Sequence, residues 1–127
     1  MSKKILIIDD DPDFVDAIVN LLDAKGYDVA SASNGKDGIE KARQYRPDLI
    51  LLDVMMTTKS EGFDVARQFQ SDQQLKGIPV VLVTGVRREM NLPFGFEPDD
   101  QWLPVKAVLE KPIKPEVLLK TIEQYAI

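Results

Sequence analysis

The residues with chemistry to offer are acids, one hydroxyl and one ammonium, and each stands where an apolar run stops. "ILIIDDDPDF" (Ile5 to Phe14) ends its run in Asp9, Asp10 and Asp11; "DLILLD" closes on Asp53, "IPVVLVT" on Thr84, and "AVLE" is followed by Lys111. The chain has no His and no Cys, so imidazole bases, phosphohistidine, thiolate metal sites and disulfides are all excluded. Carboxylates gathered in one place repel. At roughly 5 Å and an effective dielectric near 20, each pair costs on the order of 3 kcal/mol. One ammonium offsets part of that, and a divalent cation offsets more. An all-oxygen donor set selects Mg²⁺, or Mn²⁺ in its place, over zinc. A metal, a candidate nucleophilic carboxylate, a hydroxyl and a lysine together suit phosphoryl transfer, in which positioning and charge neutralisation dominate.

That chemistry requires the acids to converge, and the elements around them are of the kind that bring strand ends together. Lys4 to Asp9 is a short continuous apolar run, as buried parallel strands show. Asp11-Pro12 reads as an N-cap with Pro at the first helical position, and Phe14, Val15, Ile18, Leu21 and Leu22 follow at helical spacing up to Gly26. A second strand is expected over Tyr27 to Ala32. A second helix opens at Asn34-Gly35, with Ile39, Ala42 and Tyr45 on one face, and Pro47 stops it. Asp48 to Asp53 is a third strand. A third helix runs from Gly62 to about Phe69, with Phe63, Ala66 and Phe69 on one side. Ile78 to Thr84 and Ala107 to Glu110 are further strands, and a last helix starts at Pro115 carrying Val117, Leu118, Ile122 and Tyr125.

Apolar strands alternating with amphipathic helices imply an α/β fold, a parallel sheet covered on both faces. Right-handed crossovers make it doubly wound, and five strands favour the flavodoxin-like order 2-1-3-4-5. In such a sheet the functional crevice lies outside the carboxyl ends of the strands. Asp9, Asp10, Asp53, Thr84 and Lys111 then face one cleft.

The 127 residues suffice for one domain with a full core. Sixteen basic residues against twenty-one acidic ones give a net charge of −5, which argues against a nucleic-acid partner or an anionic membrane surface. "MSKKILIIDDD" holds too short an apolar run for a signal peptide or membrane span. With no Cys to oxidise, the expectation is a cytoplasmic protein.

The set "LIIDDDP", "DLILLDVMM", "VVLVTG" and "LEKPIKPE", in that order, resembles the receiver domain of bacterial two-component response regulators. The resemblance covers nearly the whole chain and implies one receiver domain over residues 1–127 with no output domain. It implies that Asp53 is the phosphoacceptor and that Asp9, Asp10, Asp53 and the backbone carbonyl of Met55 hold Mg²⁺. Thr84 would hydrogen-bond the phosphoryl oxygen and Lys111 would pair with the phosphate. The implied donor is a sensor histidine kinase or phosphotransfer protein, and the implied output is phosphorylation-dependent contact with an unknown downstream protein. Such a chain is not an enzyme in the ordinary sense, since it catalyses its own phosphorylation and dephosphorylation only.

Two features depart from the family pattern. Thr57 stands where a Pro is usual, and Gly62 comes one residue late. Between Thr84 and Lys111 the chain is several residues longer than usual and holds Pro93, Pro98 and Pro104; Val108 occupies the position of the family's aromatic switch residue. Phe94, Phe96 and Trp102 are the aromatics at hand to replace it. Two other readings stay open: a receiver-like binding module independent of phosphorylation, and a Mg²⁺-dependent aspartyl-phosphate phosphatase using Asp9, with Asp11 two residues on.

Overall fold

Five parallel strands form one sheet in the order β2-β1-β3-β4-β5, as the alternation of apolar runs and amphipathic helices predicts. The strands are β1 (Lys4–Ile8), β2 (Asp28–Ala32), β3 (Leu49–Asp53), β4 (Val80–Thr84) and β5 (Ala107–Glu110). The computed structural model describes residues 3–53, 65, 67–69, 71–84, 107–110 and 113–126, with the backbone alone at 84, 108 and 110. Helices α1 (Pro12–Ala24) and α2 (Gly35–Tyr45) follow the first two strands. Residues 65, 67–69 and 71 are helical (α3), and α4 (Pro115–Tyr125) closes the chain. Among the described residues no helix is long and apolar enough to cross a membrane.

The period of two along each strand sorts its side chains between two cores. Leu6, Ile8, Ile50, Leu52 and Leu82 pack with Ala42 of α2 and with Val65 and Phe69 of α3. Ile5, Ile7, Leu49, Leu51, Val81 and Val83 pack on the other face, against Ile18 and Leu22 of α1 and Leu118 and Ile122 of α4. β1 and β3 are therefore buried on both sides, which explains why they read as unbroken apolar runs. β2, at the sheet edge, is only partly buried.

Local signals set the element ends. Asp11 caps α1, accepting from the N–H groups of Asp13 and Phe14. At the other end Gly26 takes φ 89°, a conformation that suits a residue without a Cβ. Tyr27 N–H then bonds to Leu22 O and Gly26 N–H to Asp23 O, each at 3.0 Å, the paired closure of a Schellman motif. Tyr27 is thus spent on the cap, and β2 begins one residue later than its apolar pattern suggests. Asn34 caps α2 by accepting from Asp37 N–H at 2.8 Å.

Other expectations shift by a residue or two. Asp9 lies past the last residue of β1, although its N–H still reaches Ala32 O at 3.0 Å. Ile78 closes a turn onto Leu75 O, and β4 starts at Val80, after Pro79. Val117 is 42% exposed, so it is not a core position of α4; Leu118 and Ile122, one helical turn apart, carry that packing. Phe63 and Ala66 lie outside the described residues, and within α3 the buried pair is Val65 and Phe69.

Candidate acidic site at the strand ends

The register of the central strands brings the acids together. β1 pairs with β3 so that Ile8 stands beside Leu52, and the next residue on each strand is an aspartate. Asp9 and Asp53 are buried, at 3% and 4% exposure, while Asp10 is exposed. One carboxylate oxygen from each of the three lies within 4.8 Å of the others. The chain has thus put two acids into its interior and a third against them, at an electrostatic cost of about 3 kcal/mol per ionised pair for an effective dielectric near 20.

Each acid has a distinct local support. Asp9 Oδ1 accepts from Asp11 N–H at 2.9 Å, which fixes the turn from β1 into α1. Asp53 ends the fully buried β3 and stands beside Val83 of β4 in the ladder. Asp11 is not a member of the cluster. Its carboxylate accepts from Asp13 N–H at 3.1 Å and Phe14 N–H at 3.3 Å. A reading in which Asp9 acts with Asp11 as a catalytic pair therefore has its second acid committed to the helix cap.

The backbone of Thr84 ends β4, one residue past the partner of Asp53, and stands beside Glu110 at the end of β5. Lys111 and Met55 lie outside the described residues, as do Thr57, Gly62 and residues 85–106 with Phe94, Phe96 and Trp102. Val108 stands beside Leu82 in the β4–β5 ladder.

A cleft of about 630 Å³ opens beside Asp9 and Asp10 on the β2 side, with Asp16 of α1, Asp37 and Lys41 of α2 and Ser33 on its walls. The sequence carries no signal for these residues, because single charges on exposed helix faces are ordinary. Three carboxylates with all-oxygen donors, two of them buried, fit a hard divalent cation. Carboxylates are also the nucleophiles of aspartyl-phosphate chemistry.

A family model described as the response regulator receiver domain matches residues 5–123. Protein PilH of Pseudomonas aeruginosa PAO1 is 36% identical over 119 residues, covering 94% of this chain and 93% of PilH. A CheY-like receiver domain protein from Methanospirillum hungatei JF-1 superimposes with a TM-score of 0.82 at 26% identity, over 99% of this chain and 94% of that one. The receiver domain of the sensor histidine kinase PA1611 from P. aeruginosa, solved with a magnesium ion in its active-site cleft, has the same fold. Its TM-score is 0.82 at 21% identity, over 99% of this chain and 98% of that one. With the match running from β1 almost to the end of α4, and with acids closing both central strands, the chain belongs to the response regulator receiver domain family.

Proposed function

We propose that the chain is a response regulator that accepts a phosphoryl group on Asp53. Receiver domains are signalling modules, and the observation that carries this reading is the clustering of Asp9, Asp10 and Asp53 within 4.8 Å at the carboxyl ends of β1 and β3. An Asp53 carboxylate oxygen attacks phosphorus, the O–P bond forms, and the donor's N–P bond breaks with the electron pair leaving on a histidine nitrogen. The donor is a sensor histidine kinase or phosphotransfer protein, since the chain has no His of its own.

Asp9, Asp10 and Asp53, with the Met55 carbonyl, are the residues that would hold Mg²⁺. A bound cation neutralises charge on the acids and on the incoming phosphoryl oxygens. Support for the metal comes from the donor set, oxygen only and held in place by the register of buried strands. The chain's own contribution is positional. Burial keeps Asp53 in one place, and the Asp11 N–H orients Asp9. Thr84 and Lys111 are proposed to contact the phosphoryl oxygens as hydrogen-bond donor and counter-charge. The phosphorylated form is proposed to signal by contact with a downstream protein, and the chain to catalyse the gain and loss of its own phosphoryl group.

Incubation with Mg²⁺ and acetyl phosphate, followed by intact mass and peptide mapping, tests this. The expected result is one added phosphoryl group on the peptide bearing Asp53, absent from Asp53→Asn and lost on chelation of the metal. A label on Asp9 would point instead to the phosphatase reading. No label and no response to Mg²⁺ would leave a binding module independent of phosphorylation.

A further inference from the structure

We propose that Gly38 of α2 is a positioning residue for the Asp9–Asp10 pair, acting through its contact with Ile8; the inference rests on the reading of that pair as a Mg²⁺ site. A Cβ built on Gly38 would stand 2.5 Å from Ile8 Cδ1, 2.8 Å from Cγ1 and 3.1 Å from Cγ2. Real Cβ atoms essentially never come closer than 3.0 Å. Gly38 lies within a regular helix without positive φ, so the backbone does not call for glycine. A helical glycine costs stability relative to alanine, and the close approach to Ile8 is the feature of this position that requires it.

Cδ1 is the end of the Ile8 side chain and can turn about χ2, but Cγ1, at 2.8 Å, follows only χ1 or the backbone. Ile8 is fully buried among Leu6, Ala42, Ile50 and Leu52, and its branched side chain is stiff at χ1. The first turn of α2 is held by Asn34, whose side chain accepts from Asp37 N–H at 2.8 Å and donates to Asp37 Oδ2 at 3.0 Å. Gly38 N–H bonds to Asn34 O at 2.9 Å, and Ala42, one turn later, is fully buried. A methyl group at position 38 therefore pushes on Ile8, and a close-packed interior transmits the push. Ile8 is the residue before Asp9. The displacement passes to two bonds of Asp9, from its N–H to Ala32 O and from Asp11 N–H to its Oδ1.

The test is calorimetric titration of the full chain with Mg²⁺, alongside urea unfolding to show that each variant is folded. Gly38→Ala is expected to weaken Mg²⁺ binding about tenfold, the loss typical when an outer support of a metal ligand is removed. Gly77→Ala, where an added Cβ meets nothing within 4 Å, is expected to bind as the parent chain does. The double variant Ile8→Val/Gly38→Ala, which lacks the nearest clashing atom but keeps the γ carbon at 2.8 Å, should recover part of the affinity. A merely structural glycine would change the urea midpoint and leave the affinity of the folded protein alone. Unchanged affinity in Gly38→Ala overturns the proposal, and so does a double variant that binds no better. If Gly38→Ala does not fold, Ile8→Val alone is the reference: a folded double variant that binds Mg²⁺ more weakly than Ile8→Val supports the proposal, and equal binding overturns it. A parent chain that binds no Mg²⁺ rejects the metal site itself, a different failure that takes this inference with it.

Discussion

Asp48 stands just before β3 and Asp53 closes it, yet the two acids meet opposite treatment. At the amino end of the sheet two acids have matched donors. Asp48 Oδ2 accepts from Lys4 N–H at 2.8 Å, and Asp48 N–H returns a bond to Lys4 O at 2.7 Å. Asp72 accepts from Arg43 at 2.6 Å and from Gln74 N–H at 2.8 Å. The Lys4 ammonium lies 5.5 Å over the Tyr45 ring. At the carboxyl end three acids crowd against one another. Matched charge at one rim serves the fold. Crowded like charge at the other costs stability unless a cation neutralises it. The same residue type thus reports structure or function according to what stands beside it.

The largest effect expected from this contrast is on Asp53. Without divalent cation, Asp53→Asn should raise unfolding stability by about 1–3 kcal/mol, because it removes one charge from two close repulsive pairs. Saturating Mg²⁺ should stabilise the parent chain and leave the variant nearly unchanged, by the usual linkage of binding to folding. Urea denaturation with and without Mg²⁺ measures both, and a destabilised Asp53→Asn in chelator would remove the contrast. Asp48→Asn should act with the opposite sign, losing about 1 kcal/mol as a charge-assisted bond becomes a neutral one; the same unfolding curves report it.

Smaller effects come from titration at the amino rim. Burial, with Asp28 beside it and the Asp48 charge nearby, holds the Tyr45 hydroxyl well above its ordinary range. A group whose folded pKa is raised gives stability that is fully present below its unfolded pKa and lost as pH rises. Unfolding stability should therefore decline above about pH 10, the ordinary value for Tyr, and Tyr45→Phe should flatten that decline. Burial and the Glu123 charge raise Tyr27 as well, so part of the slope should persist in the variant.

The least effect is expected at Asp72. The hydrogen bond from Arg43, then the Gln74 N–H, hold its carboxyl below the ordinary range. Its contribution is present above the unfolded pKa and fades as acid titrates the folded group. In Arg43→Ala the Asp72 carboxyl, followed by NMR, should titrate nearer the usual value. Arg43 is half exposed, so the change in overall stability should be slight.

Legibility from sequence followed the range of the interaction. Asp11 as the cap of α1 and Asn34 as the cap of α2 were readable because a cap acts over three residues. The strand runs of β1 and β3 were readable because burial on both faces leaves no polar interruption. Which apolar residues of α4 are buried was not readable, since Val117, beside Leu118, fits the periodicity whether or not the sheet reaches it. Lys4 with Tyr45 and Arg43 with Asp72 gave no signal, being pairs far apart in sequence whose partners each look like ordinary surface residues. Gly38 showed only as a glycine inside a helical pattern, with its partner Ile8 thirty residues earlier.

Composition and apolar periodicity were enough to specify a parallel α/β sheet, the absence of imidazole and thiol chemistry, and acids at strand ends. They could not specify that Asp9 and Asp53 are neighbours. That follows from the pairing of β1 with β3 at Ile8 and Leu52, because a strand's own sequence encodes which side chains it buries, whereas its neighbour and register are set by the packing of two helical layers against both faces at once.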